Sequence, residues 1–131
     1  MKTIVSASVI LTILAVSFYL LIDFGFKSQT DILVIESYHQ GYDWDRSYKN
    51  GLEESLGNHY QLSYFEMDTK RVPQAQHQER ADLAYDRYLN TKPSLVVLGD
   101  DNALKYLGPK LAKKNTPVVY LGINRHPADY L

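Results

Sequence analysis

Three short runs of aliphatic and β-branched residues and a fourth that alternates weakly, with segments of helical pattern between them, constrain this chain more than any other feature. The runs are Asp31–Ser37, Tyr60–Met67, Ser94–Gly99 and Val118–Gly122. Leu95-Val96-Val97-Leu98 and Ile32-Leu33-Val34-Ile35 show no polar alternation, which marks strands buried on both faces. The first connection carries Trp44, Tyr48, Leu52 and Leu56 at four-residue steps, an apolar helical stripe that predicts a helix over 43–57. Asp43 or Asp45 falls in its first turn, where a carboxylate suits the helix dipole, and Gly57-Asn58 ends it. Pro73 opens a second, polar helix to about Asn90, whose inner face is Ala81, Ala84, Tyr85 and Tyr88. A third helix is capped by Asp101 or Asp100 and has Leu104, Leu107 and Leu111 as its stripe. Connections of this length rule out hairpins. The order β-α-β-α-β-α-β predicts an α/β fold: a parallel sheet of four strands with helices on both faces.

The N-terminus has a different character. Thr3 to Ile22 is an uncharged run closed by Asp23. Its length as a helix is about 30 Å, enough to cross a bilayer core. A cleaved export signal would have a shorter apolar core and a small-x-small cleavage site, and the residues after Ile22 carry no such pattern. Ala15-Val16-Ser17 has suitable small residues, but cutting there leaves an apolar stub. The expectation is a membrane anchor or signal segment over 1–27, followed by a lobe over 28–131. Lys2 favours a cytoplasmic N-terminus, which places the lobe outside the inner membrane. The absence of cysteine excludes a lipid-anchored N-terminal Cys and fits an exported domain without disulfides.

Several functions are disfavoured. A net charge of −1 gives no electrostatic footprint for nucleic acid. No Gly-x-Gly-x-x-Gly follows the first strand and no P-loop is present, so no cofactor is expected. Ser37 and His39 stand two apart and project differently, which gives no nucleophile with a paired base. His39 and His126 have no metal-ligand spacing. One enzymatic alternative stays open: Asp68, Asp100 and Asp101 as hard ligands of Mg²⁺ in a hydrolase.

In an open α/β sheet, ligands bind outside the carboxyl ends of the strands. Four loops meet there. The first carries Ser37, Tyr38, His39, Gln40, Gly41, Tyr42 and Trp44; the second is Met67-Asp68-Thr69-Lys70-Arg71; the third is Gly99-Asp100-Asp101-Asn102; the fourth is Gly122-Ile123-Asn124. Tyr38, Tyr42 or Trp44 would stack on a flat ligand, while Ser37, His39, Asp68, Thr69, Asn102 and Asn124 offer hydrogen bonds. Asp100 and Asp101 would pair with a ligand amine, and free N–H groups at the third helix would take an anion. Each residue also has a plain structural reading. Trp44 packs under the sheet, Asp101 is a helix cap, Asp68-Thr69 shapes a turn before Pro73, and Lys70-Arg71 is a solvated pair.

Taken together, Ser37-Tyr38-His39-Gln40-Gly41-Tyr42-Asp43-Trp44 resembles the Ser-Tyr-His-x-Gly-x-x-Trp opening of the ABC-transporter-type periplasmic substrate-binding family. The same module serves as the extracytoplasmic sensor domain of some bacterial histidine kinases. Met67–Arg71, Gly99–Leu104 and Gly122–Asn124 resemble that family's next motifs in order and spacing, so the likeness covers about Asp31 to Asn124. It implies a type I periplasmic-binding-protein fold, in which two Rossmann-like lobes hold a small solute between them. Only the first lobe is matched here, and the expectation is a truncated product with half of that cleft, the other alternative being a non-functional fragment whose lobe merely folds or docks on another protein. The implied partners are the cytoplasmic membrane, a small-molecule ligand, and an ABC permease or a histidine kinase. The resemblance implies binding rather than catalysis.

Overall fold

The computed structural model describes residues 7–25 and 31–131. Lys2, residues 3–6 of the apolar run and the expected boundary at 27/28 lie outside the described residues. The first element is a helix, α1 (Ala7–Gly25), whose side chains are described only for residues 9–18. Among the described residues no helix is long and apolar enough to cross a membrane. The spanning helix expected over 3–22 therefore has no support from the fold.

The lobe alternates as the apolar runs require: β1 (Ile32–Glu36), α2 (Asp43–Leu56), β2 (Leu62–Glu66), α3 (His77–Thr91), β3 (Leu95–Gly99), α4 (Asp100–Leu111) and β4 (Val118–Leu121). Single 3₁₀ turns at Gln74–Gln76 and Pro127–Asp129 precede α3 and follow β4. The four strands form one sheet in the order β2-β1-β3-β4, and every pairing is parallel. In register, Glu36 sits beside Glu66 and Gly99, and Gly99 beside Leu121, so all four strands end level on one edge.

Period-two alternation sorts the strand side chains between two cores. Leu33, Ile35, Val96 and Leu98 point to one face, where they pack with Ala81, Ala84 and Tyr88 of α3 and Leu104, Leu107 and Leu111 of α4. Ile32, Val34 and Val97 point to the other, beneath Tyr48, Leu52 and Leu56 of α2. β1 thus sends its chain to one face and the adjacent β3 to the opposite face. Neighbouring strands whose connections diverge in this way leave a crevice between their ends, the usual ligand position in doubly wound sheets.

Three local expectations are corrected. Trp44 heads the α2 stripe in sequence but does not pack under the sheet: it is 49 % exposed and lies against Gly122 at the end of β4. Tyr48, Leu52 and Leu56 pack on the strands, while Trp44, one turn earlier, meets the loop after β4. Pro73 is the residue before the 3₁₀ turn, and α3 proper begins at His77. Neither Asp100 nor Asp101 caps α4; Gly99 holds the N-cap position, with no side-chain cap.

Candidate functional site

Ser37 joins three of the four loops from below. Its Oγ donates to the Gly99 carbonyl at 2.6 Å and accepts from Ala103 N–H at 2.8 Å. Its carbonyl accepts from both the N–H and the hydroxyl of Thr69, at 2.9 and 2.8 Å. Thr69 Oγ1 in turn accepts from Asn102 Nδ2 at 2.9 Å. Ser37 and Thr69 are buried, so these two predicted ligand residues form the floor of the site and hold the first, second and third loops in register. Arg80 of α3 steadies the second loop, donating to the carbonyls of Glu66 and Met67.

Above this floor the first loop is fixed by a carboxylate on α2. Asp45, fully buried, accepts the Tyr38 N–H at 3.0 Å through Oδ2. The Tyr38 hydroxyl crosses to the third loop and donates to Asp100 Oδ1 at 2.8 Å, which also accepts the Asp101 N–H. Burial, then the hydrogen bond to Asp100, push the Tyr38 phenol well above its ordinary pKa, so it stays a donor. His39 stays within its turn, with Nδ1 accepting from Gly41 N–H and its carbonyl from Tyr42 N–H.

Asp68 and Asp100 hold φ values of 57° and 72°. Left-handed backbone is uncommon outside glycine, and such strain gathers at functional sites. Asp68 Oδ1 accepts from Arg71 Nε at 2.7 Å, and that bond holds its carboxyl below the usual range. Asp101 anchors the fourth loop: it accepts from the N–H and side-chain amide of Asn124, the N–H of Arg125 and the hydroxyl of Tyr130. Burial pushes the Asp101 carboxyl up, but these bonds outweigh it and keep the pKa below the ordinary carboxylate value. The fourth loop also needs Gly122. Its φ of 69° is left-handed, and a Cβ there would stand 2.9 Å from the Trp44 ring.

The edge thus carries two hollows. A cavity of about 480 Å³ is lined by Tyr38, Asp100, Asp101 and Asn102 together with Lys105, Arg125, Asp129 and Tyr130. A second, of about 460 Å³, lies against Gly41, Tyr42, Asp43, Trp44 and Ser47. Of the predicted site residues, four therefore share the main cavity. Tyr42 and Trp44 face the other hollow, Asn124 ties the rim, and Ser37, Thr69, Asp68 and His39 shape the scaffold.

Sequence reasoning missed Lys105, Arg125, Asp129 and Tyr130. Lys105 had a signal, one helical turn beyond Asp101 on α4, whereas Tyr130 arrives only because the C-terminal segment folds back. Among the described residues no group of three His, Cys, Asp or Glu side chains is placed to hold a metal ion. Asp68, Asp100 and Asp101 each accept from different protein donors instead. No family model matches the chain, and neither a curated protein nor a solved structure matches it.

Proposed function

We propose that this chain is a non-enzymatic module that binds a small solute outside the cytoplasmic membrane, in uptake or sensing of the ABC substrate-binding or histidine-kinase sensor type. One observation carries the reading. The 480 Å³ cavity lies where the connections of β1 and β3 diverge, with walls supplied by the loops after those strands and after β4. Its polar groups converge from Tyr38, Asp100, Asn102, Lys105 and Arg125, a set suited to orienting a polar ligand rather than to bond cleavage. The four-motif resemblance favours the same class and a cleft closed by a second lobe.

The membrane part of the proposal rests on the uncharged run Thr3–Ile22. The large apolar side chains from Val9 to Phe18 within that run are 47–72 % exposed, a surface that an apolar surrounding would cover. The orientation follows from Lys2, with the segment over residues 1–27 as a single-pass anchor in the inner membrane and the lobe in the periplasm or outside the cell.

Calorimetric titration of the detergent-solubilised full chain with amino acids, nucleobases, amines and sugars tests the proposal. The expected result is saturable binding of at least one solute, weakened about tenfold or more by Asp100→Ala, which removes a polar wall of the cavity. No saturable binding across the panel would overturn it.

A further inference from the structure

Beside the main cavity, two rings of the first loop make a corner that already holds a cation. The Tyr38 and Tyr42 rings meet edge to face, with centroids 4.8 Å apart and planes at 72°. Into this corner reaches Lys70 of the second loop, its Nζ 4.7 Å from the Tyr38 centroid and 5.2 Å from that of Tyr42. Both distances are within the range at which the ring quadrupole attracts a cation. Lys70 makes no ion pair among the described residues, the adjacent Asp68 being taken by Arg71. An exposed, flexible and strongly hydrated ammonium is thus seated on two aromatic faces rather than on a carboxylate.

Two features make this corner more than a place for a lysine to rest. The Tyr38 hydroxyl donates to Asp100, and a phenol bonded to a carboxylate has a more electron-rich ring for a cation to sit on. Tyr38 is also a wall of the 480 Å³ cavity, whose lining sets three carboxylates, Asp100, Asp101 and Asp129, against two cations, Lys105 and Arg125. A flat ligand cannot lie parallel to both rings at this angle, but a compact ammonium touches both.

We propose that the Tyr38–Tyr42 corner is the recognition site for the ammonium group of a cationic solute, and that Lys70 competes for it. The inference rests on the solute-binding reading and names the ligand class for it: an amine or quaternary ammonium whose remainder lies in the adjoining cavity. Binding exchanges one ammonium for another, so Lys70 lowers the affinity and sets a threshold concentration for occupancy.

The test compares choline with 3,3-dimethyl-1-butanol, its neutral isostere, by chemical-shift titration of the tyrosine rings in the full chain in micelles. The expected result is choline binding at least fivefold tighter than the isostere, lost in Tyr42→Leu and strengthened severalfold in Lys70→Gln. Both positions are exposed, so the variants retain the fold. Equal binding of choline and its isostere overturns the inference, as does weaker choline binding in Lys70→Gln. Loss of an acidic solute in Lys70→Gln overturns it too, by making Lys70 an anion ligand. If neither choline nor the isostere binds while other panel solutes do, the inference falls and the solute-binding reading stands; if no solute binds, both fall.

Discussion

Glu36 ends β1 with its side chain fully buried on the α2 face and neither carboxylate oxygen hydrogen-bonded. Nearby, Asp45 has one unpartnered oxygen, and the buried Tyr48 hydroxyl, which feels the Asp45 carboxylate, lacks a hydrogen bond of ordinary geometry. Tyr48 reaches this depth because Gly99 has no side chain: a Cβ there would stand 2.5 Å from the hydroxyl. Burying an unpaired carboxylate is costly, and the group responds by holding its proton. Burial, then the charge of Asp45, push Glu36 up to about 7. Burial likewise pushes Asp45 up to about 6, against the lowering bond from Tyr38 N–H. Between 4.5 and about 7 the folded chain therefore keeps a proton on Glu36 that the unfolded chain has released, and stability falls as pH rises through that window. Urea melts from pH 5 to pH 8 should show this loss. Glu36→Gln should flatten the profile and add on the order of 1–3 kcal/mol at pH 8. A variant no more stable than the parent at pH 8 would refute the assignment.

At the scale of elements, the binding edge depends on groups that cap one element from another. α4 begins on Gly99, which has no side chain to cap it, and Ser37 of the β1 loop supplies the missing acceptor to Ala103 N–H. Removing that hydroxyl leaves a buried N–H without its partner and releases the link to the Gly99 carbonyl. Ser37→Ala should cost about 1–3 kcal/mol in urea denaturation and loosen the third loop, seen as faster amide exchange at Asp101 and Asn102. Exchange unchanged at those amides would show that Ser37 does not hold the loop. The helical stripes of α2 and α4 and the inner face of α3 were legible because a 3.6-residue period repeats over several turns. Their first turns were not. Trp44, Pro73 and Asp101 were misplaced because a helix start depends on what the neighbouring loop offers, and a short sequence window does not contain it.

For the molecule as a whole, the apolar N-terminal segment and the α/β lobe have opposite solvent preferences. The proposed anchor predicts that the full chain sediments with membranes and resists carbonate extraction, while a chain lacking residues 1–27 is released. Recovery of the full chain in the soluble fraction would remove the anchor. The lobe exposes apolar side chains at its edge as well: Val119 and Tyr120 of β4 are about half exposed, beside an edge with no further strand among the described residues. The parallel architecture was legible at this scale, since strands joined through helices have few alternatives. Which residues share a cavity was not.

From the sequence alone came the number of strands and their order along the chain, their parallel pairing, the two-faced covering by helices and the four loops at one edge. All of these follow from local periodicity and connection length. Tertiary structure alone decided how those loops divide the work. It placed Ser37 and Thr69 in the floor, Tyr38 with Asp100, and Trp44 on Gly122. It also brought Lys70 into the Tyr38–Tyr42 corner and Tyr130 back onto Asp101. The reason is physical. A side chain's role at a strand end is set by partners far away in sequence, 29 positions in the Tyr130–Asp101 bond and 66 in the Ala103–Ser37 bond. Those distances are closed only when the sheet assembles.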